Sequence, residues 1–267
     1  MPNKIYENVY FEDFYDLYIF DMKLKQVTLS QIFDIESRLR TSIAYNFTSV
    51  YCRDKKDTMR YTDSNYYKMP DKADKHMINV FKSFDLFRKT LYMKNGYVKR
   101  KSFIDELKDG RNYVREYMYP PFWGVIKALP LGSLYYTFVF LNDIVKEKVL
   151  NDFGLKLSDA KAFEQAIYIL KEVRNQCAHL ELITRFRLKR IEKLNKFYDI
   201  TIKANLSKGV LNYMDVVKIF KLFGNELKVK RIIVFFYAKM IIKGRKMIAE
   251  KAISKMGRKA IYQWIKL

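Results

Sequence analysis

The chain has 267 residues, enough to bury a substantial core as one domain or as a domain with an extension. With 49% hydrophobic and 30% charged residues it is not wholly disordered, nine glycines and five prolines disfavour a turn-rich sandwich or barrel, and two cysteines make no disulfide framework. A formal charge of +22 calls for a polyanionic partner, nucleic acid being the natural candidate, against the blander alternative of lysines written wherever solvent permits.

The start, MPNKIYENVYFEDF, has acidic residues and no apolar run, so no secretory signal is expected. From Phe11 to Tyr51 apolar residues recur every three or four positions, at Phe14, Leu17, Phe20, Ile32, Ile35, Leu39, Ile43 and Phe47. That period predicts an amphipathic helix or helix pair. Glu36, Arg38 and Arg40 fall between the apolar rows. Glu36 and Arg40 stand at i, i+4, where a surface ion pair is worth about 0.2–0.5 kcal/mol, and a polar-site role is the open alternative.

Residues 52–74 lack a period and read as a loop with short structure. Helical periodicity resumes from His76 to about Met93, and a loop is expected around Asn95 and Gly96. Another helical run reaches Tyr119, where Pro120 and Pro121 stop it. The stretch Phe122 to Leu150 is apolar and aromatic, with Leu131, Leu134, Phe138 and Leu141 at helical spacing. It predicts the most buried helix, after a break at Pro130 to Gly132, and its aromatic residues read as core. Ser158 and Asp159 offer an N-cap to a helix through Phe163, Ile167, Leu170 and Val173. Beyond Asn205 at least two more helices are expected, dense in Lys and Arg from Lys228 to Lys266.

The fold class that follows is all-α: a helical core over residues 1–190 and a basic helical C-terminal extension over 191–267. Residues 181–267 hold 22 Lys and Arg against 6 Asp and Glu, a net of +16. The most apolar stretches, Ile232 to Ile242 and Ala128 to Asn142, are too short to span a bilayer, so no membrane partner is expected and a reducing cytoplasm fits.

Chemistry concentrates at RNQCAH, residues 174–179. The chain has two histidines, His76 and His179, so a histidine-dependent activity has few places to live. Imidazole can take the proton of a ribose 2′-hydroxyl or return one to a 5′-leaving oxygen, while guanidinium holds the charge that builds on phosphorus. At about 100° per residue Asn175 and His179 share a helical face, whereas Arg174 and His179 are about 140° apart. One imidazole serves poorly as both acid and base, so a homodimer that joins two Arg174 and His179 pairs is expected. Taken alone, the R-x4-H spacing also fits a helix-end histidine bonded to a carbonyl. Cys177 reads as a small buried packing residue, and the dispersed His and Cys supply no metal set of recognisable spacing.

VRNQCAHLELITRFR at 173–187 resembles the R-N-x-C-A-H-x-E-x-[LI]-x-x-F-R signature of the Abi family, in particular the AbiD and AbiF-like abortive-infection proteins. FEDFYDLYIFDMKLK at 11–25 and IESRLRTSIAY at 35–45 resemble the family's opening helices, and PPFWGVIKALPLGSLYYTF at 120–138 its proline-tryptophan segment. The resemblance implies a HEPN-like helical bundle whose R-x4-6-H motif cleaves RNA in active members. For this chain it implies a metal-independent endoribonuclease in phage defence, with Arg174 and His179 as the catalytic pair, Asn175 beside them, and no cofactor. Glu181 and Arg187 match the downstream part of the signature, which implies a supporting or RNA-contacting role. Glu36 and Arg40 match the early helix and are implied in the same cleft. The implied partner is RNA, including a structured noncoding RNA, with basic side chains on phosphates and tyrosines and Trp264 stacking on exposed bases. Leu182 stands where many relatives carry Arg, which keeps open a catalytically inactive RNA-binding scaffold or regulator. A toxin acting on another protein is a third class.

Overall fold

A computed structural model describes residues 9–94, 97–189, 210–224, 226–257 and 260–266. Among these residues the architecture is all-α apart from two small two-stranded sheets. Two compact units divide the chain: a mid-chain unit of residues 36–168, and a terminal unit of residues 1–35 with 169–267.

Helix α1 (Phe11–Tyr51) is a single helix rather than a pair. Its buried positions run Phe20, Leu24, Ile32, Ile35, Leu39, Ile43 and Phe47, as the period predicts, but the first turns depart from it. Phe14 is exposed, and Asp13 and Asp16 occupy the buried face. Their partners lie far along the chain: Lys239 donates to Asp16 at 2.8 Å, Lys243 also bonds Asp16, and Arg245 pairs with Asp13 at 3.3 Å. Burial alone would push the Asp16 carboxyl up, but the hydrogen bonds and charges of Lys239 and Lys243 outweigh it and hold it below its ordinary value.

In the mid-chain unit, α1 is followed by three single 3-10 turns and by α2 (Lys75–Lys82), capped by the Asp74 side chain. The helical run expected through Met93 ends here. Strand β1 (Lys89–Lys94) pairs antiparallel with β2 (Tyr97–Ser102), Leu91 opposite Arg100. The Asn-Gly dipeptide between the strands is a strong hairpin signal, and Thr-Leu-Tyr suits a strand better than a helix. The loop expected at Asn95 and Gly96 lies outside the described residues. Ser102 and Asp105 form a reciprocal capping box that starts α3 (Phe103–Gly110), and α4 (Asn112–Arg115) follows.

Pro121 and Pro130 begin helices rather than end them, at α5 (Phe122–Val125) and α6 (Leu131–Phe140). Asn142 breaks the apolar run and caps α7 (Asp143–Asp152), its Oδ1 accepting from the Val145 amide at 3.1 Å. The core here is aromatic: Tyr61 stacks on Phe122 at 4.7 Å, Phe47 meets Phe122 and Tyr67 at 5.4 and 5.2 Å, and Phe138 meets Phe163 at 4.9 Å. A buried ion pair, Lys146 with Glu164 at 3.1 Å, joins α7 to α8 (Ala160–Ala178).

In the terminal unit, β3 (Arg187–Lys189) pairs antiparallel with β4 (Val210–Asn212). Asn212 and Asp215 cap α9 (Tyr213–Leu222), and α10 (Leu227–Ile242), α11 (Lys246–Lys255) and α12 (Ile261–Ile265) follow. Phe20 of α1 stacks on Phe236 of α10 at 3.9 Å. The Thr28 and Tyr213 hydroxyls meet at 2.6 Å in the core.

Candidate active site

Along α8 the positions Phe163, Ala166, Ile167, Leu170, Val173 and Cys177 are buried at three- and four-residue spacing, which leaves Arg174 and His179 exposed and Asn175 half-buried. The His179 amide still donates to the Asn175 carbonyl at 3.0 Å, and then the helix closes. The Leu180 amide donates to Cys177 at 3.3 Å and the Glu181 amide to Gln176 at 3.2 Å, the two bonds of a Schellman turn. Leu180 takes the left-handed position at φ 58°, where glycine is usual. It is the one non-glycine residue with positive φ among the described residues, and the conformation costs about 1–2 kcal/mol. At 72% exposure its side chain packs too little to compensate.

Two side chains of α1 hold this turn. Lys25 Nζ donates to the Leu180 carbonyl at 3.1 Å and pairs with Asp21 at 2.9 Å. The other Asp21 oxygen accepts from the Thr184 amide and hydroxyl, both at 3.0 Å. Asp21 and Lys25 are both buried, so the bracket works without solvent screening. The chain is thus anchored on both sides of Glu181 and Leu182, and the end of α8 that carries His179 is fixed while its side chain stays open to water. Sequence reasoning missed this bracket. Its trace is an acid and a base at i, i+4 beside the apolar positions Phe20 and Leu24; Thr184 leaves none.

Among the described residues no hydrogen bond or ion pair engages the side chains of Arg174, Asn175, His179 or Glu181, and Glu181 is exposed. These four are therefore available to a ligand. Arg187 is committed elsewhere: its Nη1 donates to the Phe186 carbonyl and its Nη2 to the Lys255 carbonyl, each at 2.6 Å, which ties β3 to the last turn of α11. Glu36 and Arg40 belong to the mid-chain unit, where they pair with each other and Arg40 Nη2 donates to the Leu129 carbonyl at 3.0 Å. Burial pushes the Cys177 thiol up to about 12 while the Lys25 charge pulls it the other way, so at neutral pH it is a neutral packing group. Among the described residues no group of three His, Cys, Asp or Glu side chains is placed to hold a metal.

The two tryptophans differ from expectation. Trp264, read as a base-stacking residue, is fully buried and presents no face to a ligand; Trp123, read as core, is 51% exposed. The reason is local: Phe122 fills the core against Tyr61 and Phe47, and its neighbour is turned outward.

Arg174 and His179 are thus exposed, and Asn175 half-buried, at one braced helix end. The sequence model of the Abi-like protein family matches residues 1–183, and the chain belongs to that family, which ties it to abortive-infection defence. No curated protein and no solved structure matches it. No helix among the described residues is long and apolar enough to cross a membrane.

Proposed function

We propose that the chain is a metal-independent endoribonuclease of the HEPN type, acting in abortive infection on structured RNA. The observation that carries this reading is the exposed, uncommitted His179 imidazole at the fixed end of α8, with Arg174 exposed five residues back. His179 takes the proton of a ribose 2′-hydroxyl, the 2′-oxygen attacks the adjacent phosphorus, and the bond from phosphorus to the 5′-oxygen breaks. The products are a 2′,3′-cyclic phosphate and a 5′-hydroxyl, whose proton comes from the His179 of a second copy in a homodimer. Arg174 neutralises the charge on the non-bridging oxygens, and Asn175, on the face of His179, orients the phosphate or the ring. Glu181 is available to support the site.

The test is cleavage of a structured RNA in the presence of chelator. His179→Ala lowers the rate by about 10²-fold or more, the range of general acid-base catalysis. Undiminished cleavage by a folded His179→Ala chain, or strict dependence on a divalent metal, overturns the proposal. Leu182, exposed where many relatives carry Arg, favours the second reading of an RNA-binding regulator without cleavage. That reading expects salt-sensitive RNA binding, unaffected by His179→Ala, and no cyclic-phosphate product from the wild-type chain.

A further inference from the structure

In the mid-chain unit the segment from α4 to α5 leaves Tyr113, Tyr117, Met118, Tyr119 and Trp123 exposed, between 39% and 79%. That is an unusual density of aromatic surface for a region with a well-filled core beside it. Tyr113, Tyr117, Pro121 and Trp123 are among the residues that line a cleft of about 150 Å³, with Glu116 and Lys127 as its charged members. A cavity of that volume takes one aromatic ring. Tyr117 and Trp123 stand edge to face at 6.3 Å, and the Lys127 ammonium lies over the indole at 5.3 Å.

The platform is set in advance. The Tyr61 hydroxyl donates to the Pro120 carbonyl at 2.7 Å and Phe122 is locked in the core, so the turn that presents Trp123 cannot relax inward. Lys108 donates to the Met118 carbonyl at 3.0 Å, and Arg115 donates to the Lys108 and Asp109 carbonyls, pinning the strip that bears Tyr117. Rings held open in this way bind a flat partner with little ordering cost.

We infer that this cleft receives one unstacked base of a single-stranded RNA, stacked on the exposed part of the Trp123 indole with Tyr117 meeting it edge to face. Lys127 engages the neighbouring phosphate, and the Glu116 carboxylate accepts from an N–H on the edge of the base. The choice of polymer rests on the proposed RNA chemistry and on the charge of the chain; the ring-sized cleft and its cation are independent of both.

The two tryptophans make the test direct, because only Trp123 is open to a stacking quencher. Tryptophan emission of the full-length His179→Ala chain is titrated with a six-nucleotide single-stranded RNA, with a blunt RNA duplex, and with a proline-rich peptide. Saturable quenching by the single strand and not by the duplex is expected. Trp123→Ala removes the quench and weakens the RNA affinity, read by anisotropy of labelled RNA, by about 5- to 150-fold, the value of one base stacked on an aromatic ring. Tyr117→Ala keeps the reporter and weakens binding by about 2- to 12-fold, the value of an edge-to-face aromatic contact. Lys127→Ala lowers the slope of log affinity against log salt by about 0.7. Trp123 emission indifferent to single-stranded RNA that the chain binds, or affinity unchanged in a folded Trp123→Ala chain, overturns the assignment. So does quenching by the peptide alone. The cleft and the nuclease fail separately: a chain that quenches but never cleaves keeps the first, and one that cleaves with Trp123 unresponsive keeps the second.

Discussion

Asp21→Ala tests the bracket behind His179. The substitution leaves Lys25 as a buried charge without its partner and removes the acceptor of the Thr184 amide and hydroxyl. Breaking a buried pair from one side costs about 3–5 kcal/mol, and an unsatisfied buried amide adds about 1–3 kcal/mol. Because one relaxation serves both, the expected loss is about 4–6 kcal/mol, a large part of the 5–15 kcal/mol of a typical domain. Asp21→Ala with Lys25→Met removes both charges and fills the space, so it recovers about 2–3 kcal/mol of that loss and stays below wild type by the cost of the orphaned Thr184 groups and of the Leu180 carbonyl that Lys25 served. The assay is urea denaturation of the four proteins of the cycle, followed by circular dichroism. A single Asp21→Ala loss under about 1 kcal/mol, or a double variant whose loss equals the sum of the singles, refutes the reasoning.

Acid should weaken the contact of α1 with the C-terminal helices through Asp16. Its folded pKa is depressed, so its contribution is complete above the ordinary carboxylate range and is lost as pH falls through the folded value; the stability gap between wild type and Asp16→Asn narrows below about pH 4, measured by thermal denaturation at a series of pH values. Cys177, buried and held as a neutral thiol, should resist iodoacetamide at pH 8 in the native protein and react once the chain is unfolded in urea; mass spectrometry showing native modification at that residue contradicts the packing role. Leu180→Gly should raise stability by up to about 1 kcal/mol by relieving the left-handed leucine; destabilisation in chemical denaturation contradicts the strain argument.

The amount legible in the sequence depended on the distance over which each feature is decided. The long α1, the cap and stripe of α8 and the helices after Tyr213 are written in periods of three and four residues. The hairpin at Lys89–Ser102 was also legible, through Asn-Gly, but a helical period was read across it. Of the candidate site, the motif itself stood out because histidine is so scarce. The bracket of Asp21, Lys25 and Thr184 did not: Asp21 and Lys25 are local to each other, but their bonds to Leu180 and Thr184, more than 150 residues away, leave no local pattern.

By itself the sequence determined the helical class and the family, and it set the scarce His179 close to Arg174 and Asn175. Only the tertiary structure decided which charges are free. Lys239, Lys243 and Arg245 serve buried carboxylates and Arg187 serves backbone carbonyls, whereas Arg174 and His179 remain open. It likewise decided that Trp123 faces water and Trp264 does not. Burial is set by what the rest of the chain packs against a residue, and two tryptophans or two arginines can meet opposite environments in space.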